Sequence, residues 1–137
     1  MIEYRVEAPR RPKVKKFIEA MMPLMLRQLN MENSTAAVVI AIDNDIETDG
    51  VTVPIPGINS YMVAIKPRDI INIGLTLAHE LVHVKQMSTG LLRSDRKGNH
   101  VWAGKKYSKK TPYLDQPWEV QAFSRQELIL RRALAAF

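Results

Sequence analysis

The segment from Ile70 to Met87 constrains the fold most, because its apolar residues lie on nearly every side of a helix. These residues are Ile70, Ile71, Ile73, Leu75, Leu77, Ala78, Leu81, Val82, Val84 and Met87. A helix that is apolar all round has to be buried inside a domain. Asp69 offers a side-chain oxygen to cap its N-terminus, and Gly90 can end it. The sequence therefore predicts a domain built around one buried helix.

Three polar residues, His79, Glu80 and His83, interrupt this apolar helix. The two histidines are four residues apart and so lie one turn apart on one face, where both imidazoles can reach one metal ion at about 2.0–2.1 Å. Glu80 lies about 100° around the helix from His79, which places its carboxylate beside the ligands rather than among them. This H-E-x-x-H spacing is typical of zinc metallopeptidases. The alternative is that core carbonyls satisfy both histidines and that Glu80 lies at the surface.

A metal explains why such groups occur in an apolar helix, because burying them without partners costs several kcal/mol. Zn²⁺ is favoured for nitrogen and carboxylate ligands, although manganese, cobalt or iron also fit such a site. Catalytic zinc usually has three protein ligands and one open position. The metzincin pattern would supply a histidine at position 89 and a glycine at position 86. Thr89 and Gln86 occupy these positions and exclude that class.

The third ligand must come from elsewhere, and the candidates are His100, Asp95, Asp115 and Glu119. We favour Glu119, because a helix beginning at Pro117 is a more rigid ligand platform than a basic loop. His100 is the second choice. Glu119 also has a structural interpretation, since with Gln116 as cap it is the third helical residue, where glutamate stabilises a helix N-terminus. The two roles do not exclude each other.

The remaining pattern predicts further helices and strands around this helix. Apolar residues at helical spacing predict a first helix over residues 12–31, and a last helix over about residues 117–135. Apolar runs predict strands at 36–42, 51–55 and 60–66, and residues 100–108 form a small hairpin or a loop. A chain of 137 residues fits a single domain over residues 1–137.

Composition excludes several functional classes. The chain has no cysteine, so it cannot be a disulfide scaffold, use a cysteine nucleophile, or hold an iron–sulfur cluster or cysteine-ligated zinc. Its first residues lack the apolar core of a signal peptide. No apolar run approaches the roughly 18 residues of a membrane span. We therefore expect a soluble, cytoplasmic protein that does not bind membranes.

Charge is segregated along the chain, whose net charge is +6. Residues 93–110 carry seven basic side chains against one acidic one, Asp95, while residues 32–50 carry five acidic side chains and no basic one. The acidic run from Asp43 does not match a calcium-binding loop, because Thr48 and Pro54 replace the required glycine and glutamate. The basic stretch raises nucleic acid as a possible partner. Solvated surface loops are the simpler interpretation.

Three segments together resemble small zinc metallopeptidases of the gluzincin type. They are His79–Gln86, the stretch containing Trp102, Gly104 and Tyr107, and Pro117–Ala122. Similar short proteins occur among predicted phage-encoded metallopeptidases and in the SprT-like group. The resemblance implies His79, His83 and Glu119 as zinc ligands and Glu80 as the catalytic residue. It also implies a zincin-like α+β fold, in which a small antiparallel sheet packs on the H-E-x-x-H helix between an N-terminal and a C-terminal helix.

The resulting hypothesis is a zinc-dependent peptidase with a peptide or protein substrate. Glu80 would take a proton from the attacking water and pass it to the leaving amine. Tyr107, Tyr113 and His100 are candidates for stabilising the oxyanion. The strand at residues 60–66 could pair with an extended peptide. The alternative is a basic nucleic-acid-binding protein of a phage or bacterium, with a structural or vestigial metal site.

Overall fold

The computed structural model describes residues 2–137, in which three helices and two sheets form an α+β arrangement. The helices are α1 (Pro12–Gln28), α2 (Ile70–Ser88) and α3 (Pro117–Ala136). The strands are β1 (Glu3–Glu7), β2 (Ala37–Ile42), β3 (Gly50–Pro54), β4 (Ser60–Ile65), β5 (Leu92–Ser94), β6 (His100–Trp102) and β7 (Lys105–Tyr107). The coarse α+β class predicted from the sequence is therefore confirmed. None of the helices in these residues is long and apolar enough to cross a membrane.

The larger sheet has the strand order β1-β2-β4-β3 and is mixed. β1 and β2 are parallel, β2 and β4 are parallel, and only β3 runs antiparallel to its neighbour β4. The expectation of an antiparallel sheet on the central helix is therefore wrong for this sheet. The reason is the connection between β1 and β2. Helix α1 carries the chain back to the end of the sheet where β1 starts, so β2 runs in the same direction as β1.

The central helix α2 is buried as predicted, except in its first turn. Oδ1 of Asp69 accepts a 2.9 Å hydrogen bond from the backbone N–H of Asn72, which caps the helix. Leu77 and Leu81 are fully buried between the sheet and the other helices. Ile71 is 52% exposed, so the apolar face is incomplete at the N-terminal end. The buried part of α2 is the part that carries His79, Glu80 and His83.

The smaller sheet, with order β5-β6-β7, is antiparallel. Its hairpin turns through Ala103 and Gly104, which both have positive φ values (49° and 84°), as a two-residue type I′ turn requires. The rings of His100, Trp102 and Tyr107 pack around Trp118, with centroid separations of 4.6, 6.5 and 5.7 Å. The small sheet therefore lies against the first turn of α3.

Candidate metal centre

Helices α2 and α3 bring two imidazoles and one carboxylate together. Oε1 of Glu119 lies 2.8 Å from Nε2 of His79 and 3.0 Å from Nε2 of His83. Each of the three residues offers one ligand atom, and these atoms all lie within 4.8 Å of one another. Among residues 2–137, His79, His83 and Glu119 form the one group of histidine and carboxylate side chains that could hold a metal ion.

The hydrogen bonds on the far side of each imidazole test whether a cation fits between these residues. Nδ1 of His79 lies 2.8 Å from Oε1 of Gln126, and Nδ1 of His83 lies 2.8 Å from Oε1 of Gln86. An amide oxygen only accepts hydrogen bonds, so Nδ1 of each ring is the donor in this arrangement. The Nε2 lone pair of a neutral ring then faces the carboxylate of Glu119, which is also an acceptor. A cation between them, either a proton or a metal ion, resolves this repulsion, and the donor set suits a metal.

Electrostatics couple the carboxylate to the histidines. Burial alone would raise the pKa of Glu119, but its hydrogen bonds with His79 and His83 outweigh burial and lower the pKa to about 2. Burial alone would lower the pKa of His83, but its contacts with Glu119 outweigh burial and raise it. Glu119 therefore stays ionised at neutral pH, as a metal ligand must.

Glu80 lies beside this cluster and faces the sheet. It is only 5% exposed, and Oγ1 of Thr52 donates a 2.8 Å hydrogen bond to its Oε1. Gly50 lies against the same carboxylate, so that a Cβ there would be 3.1 Å from Oε2 of Glu80. Burial raises the pKa of Glu80, although the charge of His83 and the hydrogen bond from Thr52 oppose this rise. The alternative that places Glu80 at the surface does not agree with the structure.

The other ligand candidates lie elsewhere. The ring of His100 packs on Trp118, and Asp95 accepts hydrogen bonds from the backbone N–H groups of Lys97 and Asn99 in the β5–β6 turn. Asp115 lies in a short 3₁₀ turn and is not part of the cluster. His100 and the two aspartates are therefore separate from the site.

The capping interpretation of Glu119 depended on Gln116. The amide of Gln116 makes no capping hydrogen bond and instead donates to the carbonyl of Thr111 at 3.1 Å. Glu119 does lie in the first turn of α3, but its carboxylate contacts the two histidines. The hydroxyl of Tyr113 donates to the same Oε1 atom at 3.1 Å.

The structure places further residues at the centre, to which the sequence had given no role there. Gln86 follows His83 by three residues and Gln126 follows Glu119 by seven, so helical spacing could have indicated both. Thr52 and Gly50 carried no such signal, because their position beside Glu80 depends on how β3 packs on α2. The residues that surround the centre therefore come from both helices and the sheet edge.

A cleft of about 790 Å³ opens onto the cluster. Its walls come from β3, from β5 and β6, and from the start of α3, and include Tyr61, Met87, His100, Tyr113 and Trp118. Burial and the negative charge of Glu119 raise the pKa of Tyr113, so its hydroxyl remains a hydrogen-bond donor. The cleft is large enough for several side chains of a peptide.

Comparison with known proteins does not extend this assignment, since no protein-family model matches the chain and no curated protein or solved structure shows significant similarity to it.

Proposed function

We propose that the protein is a zinc-dependent peptidase of the gluzincin type. The observation that carries the proposal is the convergence of His79, His83 and Glu119 at the base of a cleft, with the buried carboxylate of Glu80 beside them. Two imidazoles and one carboxylate form a recognised set of catalytic zinc ligands. The spacing of the motif and the resemblance of Pro117–Ala122 to metallopeptidases support the same class.

Bound at His79, His83 and Glu119, zinc would polarise the scissile carbonyl and lower the pKa of water toward about 7. Glu80 acts as general base on the attacking water and returns the proton to the leaving amine. Burial raises the pKa of Glu80, which suits a group that must both accept and release a proton.

Tyr113 is the best placed of the three oxyanion candidates. Its hydroxyl lies in the cleft and contacts Glu119, and its raised pKa keeps the proton available. His100 also lines the cleft, but its ring is held against Trp118. Tyr107 packs against Trp118 and does not line the cleft. We therefore assign oxyanion stabilisation to Tyr113.

The peptide-pairing strand differs from the one expected. β4 pairs with β2 on one side and β3 on the other, so the prediction that the strand at 60–66 pairs with substrate is wrong. β1 and β3 are the two edge strands of this sheet, and it is β3 whose residues Gly50, Val51, Thr52 and Pro54 line the cleft. An edge strand has backbone groups free to pair with an extended chain. We therefore propose that β3 aligns the substrate.

Replacing the general base tests the proposal. Glu80→Gln should keep the zinc content of the wild type and lose about 10²–10⁴-fold in hydrolysis of a peptide mixture, followed by mass spectrometry. Glu127→Gln is a matched control, because Glu127 is exposed on α3 and pairs only with Arg131. Hydrolysis at the wild-type rate by Glu80→Gln would exclude the mechanism. A zinc-loaded wild type that cleaves no peptide in the mixture would exclude the peptidase assignment.

The small sheet favours a second function, nucleic-acid binding with a structural metal site. All seven basic side chains of residues 93–110 are exposed. Among the described residues only Lys106 of these has a carboxylate within 4.0 Å, that of Asp95. Free cations of this kind attract a phosphate backbone. Metal-independent DNA binding that weakens steeply with salt, without peptide cleavage, would favour this function over the first.

A further inference from the structure

Gln86 is a buried polar side chain that the proposed chemistry does not use. It is 1% exposed, lies on α2 one turn beyond His83, and makes three hydrogen bonds. Burying an amide without partners would be costly. Its partners are His83 on α2 and Trp118 and Gln121 on α3.

The partners fix which way the amide points. Nε2 of Gln86 lies 3.0 Å from the carbonyl oxygen of Trp118 and 2.8 Å from Oε1 of Gln121. A carbonyl oxygen only accepts hydrogen bonds, so the amide nitrogen must face α3. Oε1 of Gln86 is therefore the atom that lies 2.8 Å from Nδ1 of His83.

The fixed amide acts on two ligands at once. It holds the proton of His83 on Nδ1 and leaves Nε2 directed toward Glu119. It also ties α2 to the backbone of Trp118, the residue directly before Glu119. One side chain thus sets the tautomer of one ligand and the position of the helical turn that carries another.

The two histidines are not held alike. Nδ1 of His79 contacts Oε1 of Gln126, but no further hydrogen bond of the Gln126 side chain is found in the described residues. Its amide is therefore held at one end only. The amide of Gln86 is held at both ends and is more buried.

We propose that Gln86 is a positioning residue that aligns His83 and Glu119 as a single ligand unit for zinc. The proposal rests on the proposed metal site but not on peptidase activity. Groups that orient metal ligands typically contribute about 10–100-fold to metal affinity. Gln86 should contribute in this range.

The test compares zinc affinity in three variants, measured by competition with a chelating indicator. Gln86→Met keeps the side-chain volume and removes the amide, and it should weaken zinc binding about 10–100-fold. Gln28→Met is the matched control, because Gln28 bonds the carbonyl of Ile129 between α1 and α3 and touches no ligand. It should bind zinc as the wild type does. Should Gln86→Met not fold, Gln121→Met removes one acceptor of the amide and should still weaken zinc binding.

A spectroscopic signal separates positioning from packing. In the zinc-loaded wild type the Nδ1–H proton of His83 should exchange slowly with water, in a histidine-selective ¹H–¹⁵N spectrum, and Gln86→Met should make it exchange fast. Unchanged affinity and exchange in the Gln86 and Gln121 variants, or an equal loss in Gln28→Met, would overturn the proposal. A wild type that binds no zinc overturns this proposal and the proposed function together. A zinc-binding wild type without peptidase activity overturns only the proposed function.

Discussion

The hydroxyl of Thr52 donates a 2.8 Å hydrogen bond to Oε1 of Glu80, and so joins the edge strand β3 to the carboxylate beside the candidate metal centre. Burial raises the pKa of Glu80, whereas the charge of His83 and this hydrogen bond lower it. A hydrogen bond to the ionised form favours that form. The edge strand therefore helps to set the pH above which Glu80 can accept a proton.

Thr52→Val should move the acidic limb of the kcat/KM profile to higher pH. Without the hydroxyl the ionised form of Glu80 loses a stabilising hydrogen bond, so its pKa rises further. Hydrolysis of one peptide measured across the pH range reports the shift. Thr52→Ser keeps the hydroxyl and should keep the wild-type limb. An unmoved limb in Thr52→Val would show that Glu80 does not govern it.

Glu119→Ala should lose zinc, and His100→Ala should retain it. Removal of a group that only orients a ligand costs about 10–100-fold in affinity, so removal of a ligand should cost more than about 100-fold. The ring of His100 packs on Trp118, outside the cluster. Elemental analysis of the purified variants measures the difference. The opposite pattern would identify His100 as the third ligand.

The metal-free protein should be most stable at mildly acidic pH. The pKa of Glu119 lies at about 2, below its ordinary value of 4.5, so its contribution is complete above pH 4.5 and is lost as the pH falls toward 2. The pKa of His83 is raised from 6.5, so its contribution is complete below pH 6.5 and is lost as the pH rises through the higher value. Both contributions are present between these limits.

Thermal unfolding at different pH values, with a chelator present, measures this dependence. Glu119→Gln should flatten the profile, because the neutral amide cannot form the ion pair. With zinc in place of the chelator, the Tm should no longer fall above neutral pH, since metal binding requires neutral imidazoles. A Tm of the metal-free wild type that rises steadily from pH 6 to pH 9 would contradict the coupling.

Helix α2 illustrates what the sequence could predict. Its cap at Asp69, its buried apolar residues and the placement of two histidines on one face follow from local spacing. The end of α1 was less accurate, because Leu29 and Met31 extend the apolar pattern while Asn30 takes a left-handed φ of 57° and ends the helix. Apolar spacing indicates which residues are buried and not where a helix ends. Leu29 and Met31 are buried although they follow the last helical residue, Gln28.

The sheet shows why the rest could not be predicted. In β1 only Val6 is buried, so residues 3–7 lack the apolar alternation that indicates a strand. Whether strands run parallel depends on how α1 and the segment between β2 and β3 cross the sheet, and not on any one strand. The neighbours of Glu80 follow from this topology. Thr52 and Gly50 reach that carboxylate because β3 packs against α2 at the turn that carries Glu80.

Gly50→Ala should separate the edge strand β3 from the carboxylate of Glu80, the proposed general base. A Cβ at this position would clash with Cγ2 of Thr76 and would lie 3.1 Å from Oε2 of Glu80. Since β3 and α2 are packed closely, the added methyl group should destabilise the fold by about 1–3 kcal/mol. It should also reduce hydrolysis through displacement of β3, while His79, His83 and Glu119 keep their zinc.

Denaturant unfolding, peptide hydrolysis and zinc content of Gly50→Ala separate these effects. Val51→Ala is the control on the same strand, because the Val51 side chain is exposed and its loss should change stability by no more than about 0.5 kcal/mol. Wild-type stability and hydrolysis in Gly50→Ala would mean that β3 can move away from α2 without consequence for Glu80. In that case β3 could not be the strand that aligns the substrate beside the general base.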